Sequence, residues 1–168
     1  ATAVAFLKSC SNSLAKKALS AKIDGVDSDL MTPLTKDCAV EFMTFDDADG
    51  RWALRHSASH VLAQAIKRIY GEKNVQLAIG PAIENGFYYD IDMKKQLGQA
   101  DLDKIQKEME KIVKENLPIV RSEVQRADAI KMFEEKGEIY KVMLIKDLPE
   151  DALITLYTQG EFTDLCAG

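Results

Sequence analysis

The stretch over residues 53–70, closed by Gly71, constrains this chain more than any other. At about 100° per residue, Leu54, Ala58, Val61, Leu62, Ala65, Ile66 and Ile69 fall in one broad stripe. That is the pattern of an α-helix that must bury one side, and Gly71 is a suitable left-handed stop. The two histidines of the chain, His56 and His60, sit one turn apart on the side away from the stripe, with Ala63 and Lys67. On this pattern they are not core histidines. A solvated face usually carries Lys and Glu, whereas Ser, Ala and Gln surround this pair. Small neighbours leave room for something to approach, so a cleft is expected.

The remaining segments mix helical and strand periods. Residues 3–21 read as a helix interrupted or recapped at Ser11-Asn12-Ser13. Residues 22–25 suggest a strand entering a tight turn, 39–45 alternate as a strand, and the polar cluster 46–50 is the best domain boundary. Strands are expected over 75–79 and 87–91, joined through Gly80-Pro81. Residues 102–117 form an amphipathic helix with Leu102, Ile105, Met109, Ile112 and Val113 on one face, ended by Pro118. A strand over 119–124, a short helix over 127–136 stopped by Gly137, and strands over 140–145 and 152–157 complete the chain. Strands arrive as neighbours rather than in βαβ alternation. The expected fold class is α+β, a largely antiparallel sheet packed with helices.

Composition excludes several classes. With 46% hydrophobic and 29% charged residues a core can form, which argues against intrinsic disorder. Apolar runs such as 142–145 are too short to span a bilayer, and the N-terminus lacks the basic flank of a signal peptide. Cys10, Cys38 and Cys166 are odd in number and far apart, which favours a reducing, cytoplasmic setting, with Cys10 and Cys38 as small buried hydrophobes. The net charge of −5 is uneven. Residues 1–70 hold 9 Lys/Arg against 8 Asp/Glu (+1), and residues 71–168 hold 13 against 19 (−6). That disfavours a protein that grips duplex along a basic face and leaves open one that receives a single-stranded tip.

Two histidines at this spacing can hold a metal, or position a water and a substrate hydroxyl. A metalloprotease helix needs Glu directly after the first histidine, and position 57 is Ser. A structural zinc site needs at least two further ligands, for which Cys166 is the one strong candidate.

Longer motifs narrow the field. The run from Leu54 to Ala65, LRHSASHVLAQA, resembles the HxxxH helix of threonyl-tRNA synthetase editing domains. Residues 78–90, AIGPAIENGFYYD, resemble that family's next signature, and Asp164-Leu165-Cys166-Ala167-Gly168 resembles the start of its D-x-C-x-G-P-H segment. The motifs stand in the family's order at compatible separations and cover about residues 47–168; residues 1–46 are similar to the later half of a TGS domain. The resemblance implies a partial TGS-like β-grasp segment over 1–46 and an editing domain over 47–168. The family's next histidine would lie beyond Gly168, so an N-terminal fragment, truncated within its editing domain, is expected.

The implied activity is hydrolysis of mischarged seryl-tRNA(Thr) by the proofreading part of a threonine-tRNA ligase. By resemblance, His56 and His60 line the pocket and orient the ribose or the water. Lys141 stabilises an oxyanion or binds the water, and Asp164 holds the substrate amine. Tyr89 and Tyr157 set the pocket size, and Cys166 lines it. Read alone, Lys141 is the solvent side of a strand, the tyrosines are core aromatics, and Asp164 is a turn residue. The implied partners are the tRNA(Thr) acceptor end and its seryl group, with no membrane, in a parent homodimer built through other domains. Editing itself is expected to need no cofactor; ATP, Mg and Zn belong to the aminoacylation domain. Two alternatives stay open: an inactive tRNA-binding module, and an alanyl-type deacylase with zinc on His56, His60 and Cys166.

Overall fold

The computed structural model describes residues 1–166. Ala167 and Gly168 of the third motif lie outside the described residues. Thr2 caps α1 (Ala3–Cys10) by accepting the Ala5 amide at 3.3 Å, and Ser11 in turn caps α2 (Asn12–Ala15) through the Leu14 amide. The helix expected over 3–21 is therefore broken at Ser11 and gives way to β1 (Ser20–Ile23). Asp24 and Gly25, both with positive φ (51° and 80°), make the two-residue turn into β2 (Val26–Ser28). β3 (Val40–Met43) pairs with the other edge of β1, giving the antiparallel order β2-β1-β3.

The polar cluster 46–50 does more than turn the chain. Asp47 accepts the Thr44 amide at 2.7 Å and its hydroxyl at 3.0 Å, and the Asp47 carbonyl receives the Arg51 amide. A helix, α3 (Ala48–Tyr70, 23 residues), thus starts inside the expected turn. The strands expected over 75–79 and 87–91 shrink to short ladders. β4 (Gln76–Leu77), β5 (Ala82–Ile83), β6 (Gly86–Phe87) and β7 (Ile91–Asp92) pair as β4–β7 and β5–β6. α4 (Gln99–Glu115) begins where Asp101 accepts the Gly98 amide and ends at left-handed Asn116.

The chain continues through β8 (Ile119–Val124), α5 (Arg126–Lys136), α6 (Ile139–Asp147), β9 (Ile154–Gln159) and β10 (Phe162–Leu165). The segment expected as a strand over 140–145 is helical. Its buried positions, Glu138, Lys141, Val142 and Ile145, follow the 3–4 spacing of a helix. Two of the four are charged, so an apolar pattern could not reveal them.

The chain forms two compact units, Ala1–Ala58 with Ala82–Phe87, and Ser59–Pro81 with Tyr88 onward; α3 runs from one into the other. The first holds the β2-β1-β3 sheet and buries Ala3, Leu7 and Ala21. Cys10 is exposed and Cys38 only half-buried, contrary to their expected burial, because this small unit lacks the core to cover them. The second holds the antiparallel sheet β10-β9-β8 and two apolar clusters. In one, Val61, Ala65 and Ile66 of α3 meet Val75, Leu77, Phe162 and the α4 residues Ile105 and Ile112. In the other, Ala129, Phe133, Val142 and Ile145 pack under Ile154 and Leu156 of β9. Each large side chain so buried contributes ~1.5–3 kcal/mol. The fold is α+β with antiparallel sheets. Among the described residues, no helix is long and apolar enough to cross a membrane.

Charges also tie the second unit together. Lys67 of α3 and Glu138 before α6 are both 4% exposed and paired. Lys67 also donates to the Glu72 and Val75 carbonyls at 3.0 and 2.7 Å, while Glu138 accepts the Leu77 amide at 3.3 Å. Removing one member of such a pair strands the other charge, at ~3–5 kcal/mol. Glu138→Ala should therefore lower the urea midpoint sharply, and the double change Lys67→Met/Glu138→Leu should recover most of the loss.

Candidate active site

β10 alternates, with Phe162 and Asp164 buried and Thr163 and Leu165 less so. At 1% exposure Asp164 is a carboxylate without bulk water, so it requires donors from the protein. Among the described residues, three converge on it. His60 Nδ1 lies 2.8 Å from Oδ2, the Tyr89 hydroxyl donates to the same oxygen at 2.6 Å, and Lys141 Nζ lies 2.6 Å from Oδ1. Lys141 also donates to the Tyr89 oxygen at 3.0 Å, and is itself 3% exposed. Thus α3, the segment before β7, α6 and β10 each deliver one member of a buried four-residue network.

The charges in this network are set by their surroundings. Burial acts to raise the Asp164 pKa, but the His60 hydrogen bond and the Lys141 ammonium outweigh it and hold the carboxyl well below the usual range. Burial, then the Asp164 charge, pushes the Tyr89 phenol far up, so it stays protonated. The Cys166 thiol is pushed up to about 11, first by burial and then by Asp164. An ionised carboxylate only accepts, so the His60 nitrogen facing Asp164 serves as donor, a tautomer that puts the lone pair of a neutral imidazole on Nε2. A carboxylate-oriented imidazole beside a buried ammonium can take a proton from water and stabilise a developing oxyanion.

The other expected residues are placed as follows. The Tyr157 ring, opposite Asp164 in the β9–β10 register, lies 6.4 Å from the His60 ring at 19°. Cys166 is buried, its amide bonded to the Thr155 carbonyl at 3.2 Å, and its sulfur lies within 4.8 Å of a His60 ring nitrogen. His56 stands one turn before His60 on α3, its ring stacked on Trp52 at 5.0 Å and 5°. Lys141 is not on the solvent side of a strand; it is buried on a helix, because α6 replaces that strand. On the face of α3 away from the apolar stripe, Ala63 and Lys67 are buried, while His56 and His60 are half-buried.

Four contributors escaped the sequence. Lys67 and Glu138 look like surface charges, and Ser59, which donates to the Gly80 carbonyl at 2.8 Å, looks like a solvated serine. Gly80 was legible only as part of a turn. A sulfur and an imidazole nitrogen this close are donors of the kind zinc takes. The fit is partial: a thiol near 11 must release its proton at neutral pH before it can ligate.

No family model matches the chain. Over 161 residues, 96% of its length, the chain is 60% identical to a threonine–tRNA ligase of Clostridium acetobutylicum, covering 25% of that protein. It is 56% identical over 158 residues to a threonine–tRNA ligase of Clostridium botulinum, covering 94% of the chain and 25% of the relative. A threonine–tRNA ligase of Clostridium kluyveri is 56% identical over 156 residues, 93% of the chain and 24% of that protein. The chain spans about a quarter of the length of the curated relatives it matches.

The depressed Asp164 pKa has a defined sign. Its stabilising contribution is complete above the unfolded value of ~3.9 and is lost as pH falls from there through the lower folded value. Asp164→Asn strands Lys141 and should cost ~3–5 kcal/mol at neutral pH. In urea titrations from pH 7 down to pH 3, the gap between wild type and Asp164→Asn should narrow only below about pH 4.

Proposed function

We propose that this chain, a homologue over almost its whole length of one quarter of the threonine–tRNA ligases, performs proofreading: hydrolysis of the ester in seryl-tRNA(Thr). In this reading residues 1–46 are a TGS-like segment and 47–168 the editing domain. The parent enzyme joins threonine to tRNA(Thr) with ATP in the cytoplasm. The observation that carries the reading is the convergence of His60, Tyr89 and Lys141 on one buried carboxylate.

Proofreading has a physical motive. Serine lacks one methyl of threonine, and a missing methyl changes binding in an apolar pocket by only ~1–3 kcal/mol. A second site that destroys the smaller product supplies the remaining discrimination. In the proposed reaction His60 Nε2 takes a proton from water as it attacks the ester carbonyl. Asp164 keeps the ring in that tautomer and stabilises the imidazolium, which then returns the proton to the leaving ribose oxygen. Lys141 offers its ammonium to the oxyanion. A carboxylate has about four acceptor sites. Among the described residues Asp164 accepts from three donors, and in this reading the seryl ammonium is its further partner. Tyr157 and Cys166 border His60, and a role for His56 in orienting the ribose rests on the sequence resemblance.

Deacylation of seryl-tRNA(Thr) by the chain tests this. Lys141→Met and His60→Ala should each lower kcat by about 10²–10³-fold, the loss typical of an oxyanion donor or a general base. Tip binding with no turnover in the wild type would instead favour a tRNA-binding module. The proximity of Cys166 to His60 favours one further reading, a zinc-dependent deacylase. Metal analysis of chelator-free protein decides it: the proofreading reading expects full turnover with far less than one zinc per chain.

A further inference from the structure

The Gly80-Pro81 bend plays no part in the chemistry above, yet it lies directly against it. A Cβ on Gly80 would meet the Tyr89 ring at 2.2 Å (Cδ2), 2.4 Å (Cε2) and 2.9 Å (Cγ). Ordinary carbon contacts lie at about 3.5–4.0 Å, so no side chain fits while that ring stays where it is. Gly80 is not among the glycines with positive φ, so space rather than backbone conformation demands glycine here. The bend is itself anchored. Ser59, fully buried on α3 and adjacent to His60, donates its hydroxyl to the Gly80 carbonyl at 2.8 Å. On the flanking main chain the Ala78 amide donates to the Asp90 carbonyl at 3.0 Å, and the Asp90 amide to the Ile79 carbonyl at 2.8 Å. Tyr89 lies between these clamps and the ion pair, its hydroxyl donating to Asp164 and accepting from Lys141.

We propose that Ser59 and Gly80 are positioning residues for Tyr89, a gauge that sets how far its hydroxyl reaches between Lys141 and Asp164. Every link is short and stiff: a helix hydroxyl, a peptide carbonyl, a glycine surface and an aromatic ring. A Cβ at position 80 pushes the ring off that surface and pulls the hydroxyl out of both bonds. Loss of the Ser59 hydroxyl lets the bend drift and loosens the same bonds more mildly. The ammonium of Lys141 then loses the Tyr89 hydroxyl that helps to aim it. The kinetic part of this inference rests on the proofreading reading; the structural part does not.

The test is a pair of double-mutant cycles on the full chain: Gly80→Ala with Tyr89→Phe, and Ser59→Ala with Tyr89→Phe. Each variant is followed by urea unfolding and by kcat and KM for seryl-tRNA(Thr) hydrolysis. Gly80→Ala should lower kcat by about tenfold to a hundredfold at nearly constant KM, as expected for a misplacement of order 1 Å. Ser59→Ala introduces no clash and should lower kcat less, in the same direction. In the Tyr89→Phe background neither change should lower kcat further, because no hydroxyl remains to be positioned. Losses that multiply in both cycles, or full kcat in Gly80→Ala and Ser59→Ala, would overturn the inference. If the wild type hydrolyses no seryl ester, the proofreading reading fails, and unfolding alone decides. Midpoint shifts for positions 59 and 80 that shrink in Tyr89→Phe support the gauge; fully additive shifts refute it.

Discussion

A single carboxylate with almost no access to water organises the second unit. An ionised Asp164 left alone in that interior would cost several kcal/mol, so it needs donors arriving from distant parts of the chain. His60, Tyr89 and Lys141 are those donors, and each is fixed to a different element. Satisfying the carboxylate therefore fixes α3, the segment before β7 and α6 relative to β10. The Lys67–Glu138 pair repeats the logic in the same unit. Positions 60 and 67 of α3 are two turns apart, and positions 138 and 141 lie one turn apart at the start of α6. The Lys67–Glu138 pair thus ties this part of α3 directly to the start of α6, and His60 and Lys141 tie the same two helices through Asp164, where apolar packing alone would tolerate sliding.

The same arrangement gives the proposed chemistry its preorganisation. Asp164 and Lys141 cancel in charge, so the network needs no external counter-ion. In a dry interior their fields act at a higher strength than in water, and they need no reorientation when charge develops on a substrate. Stability and reactivity thus draw on the same groups. Such sites tolerate little substitution, because each side chain satisfies another.

Much of the element pattern was legible in the sequence. Leu54 through Ile69 mark α3 by their period, β8 falls where alternation put it, and Gly137 stops α5 as expected. Asp164 and Tyr89 stand out through longer motifs and Lys141 through the family resemblance; read singly they resemble a turn residue, a core aromatic and a surface lysine. α6 was misread because two of its inward positions, Glu138 and Lys141, are charged, and hydrophobic periodicity cannot register a buried charge. The strands over 75–79 and 87–91 were overextended because the chain there bends through Gly80-Pro81 to seat the Tyr89 ring.

By itself the sequence determined most of the local elements, the α+β class, and the spacing that places His56 and His60 one turn apart on one helix. These depend on near-neighbour periodicity, which is written directly in residue order. Tertiary structure alone decided that Lys67, on the second face of α3, and Lys141 are buried. It also decided that Asp164, 104 residues beyond His60, orients that ring. Pairing of charges across such separations depends on which surfaces lose water together, and no local pattern encodes that.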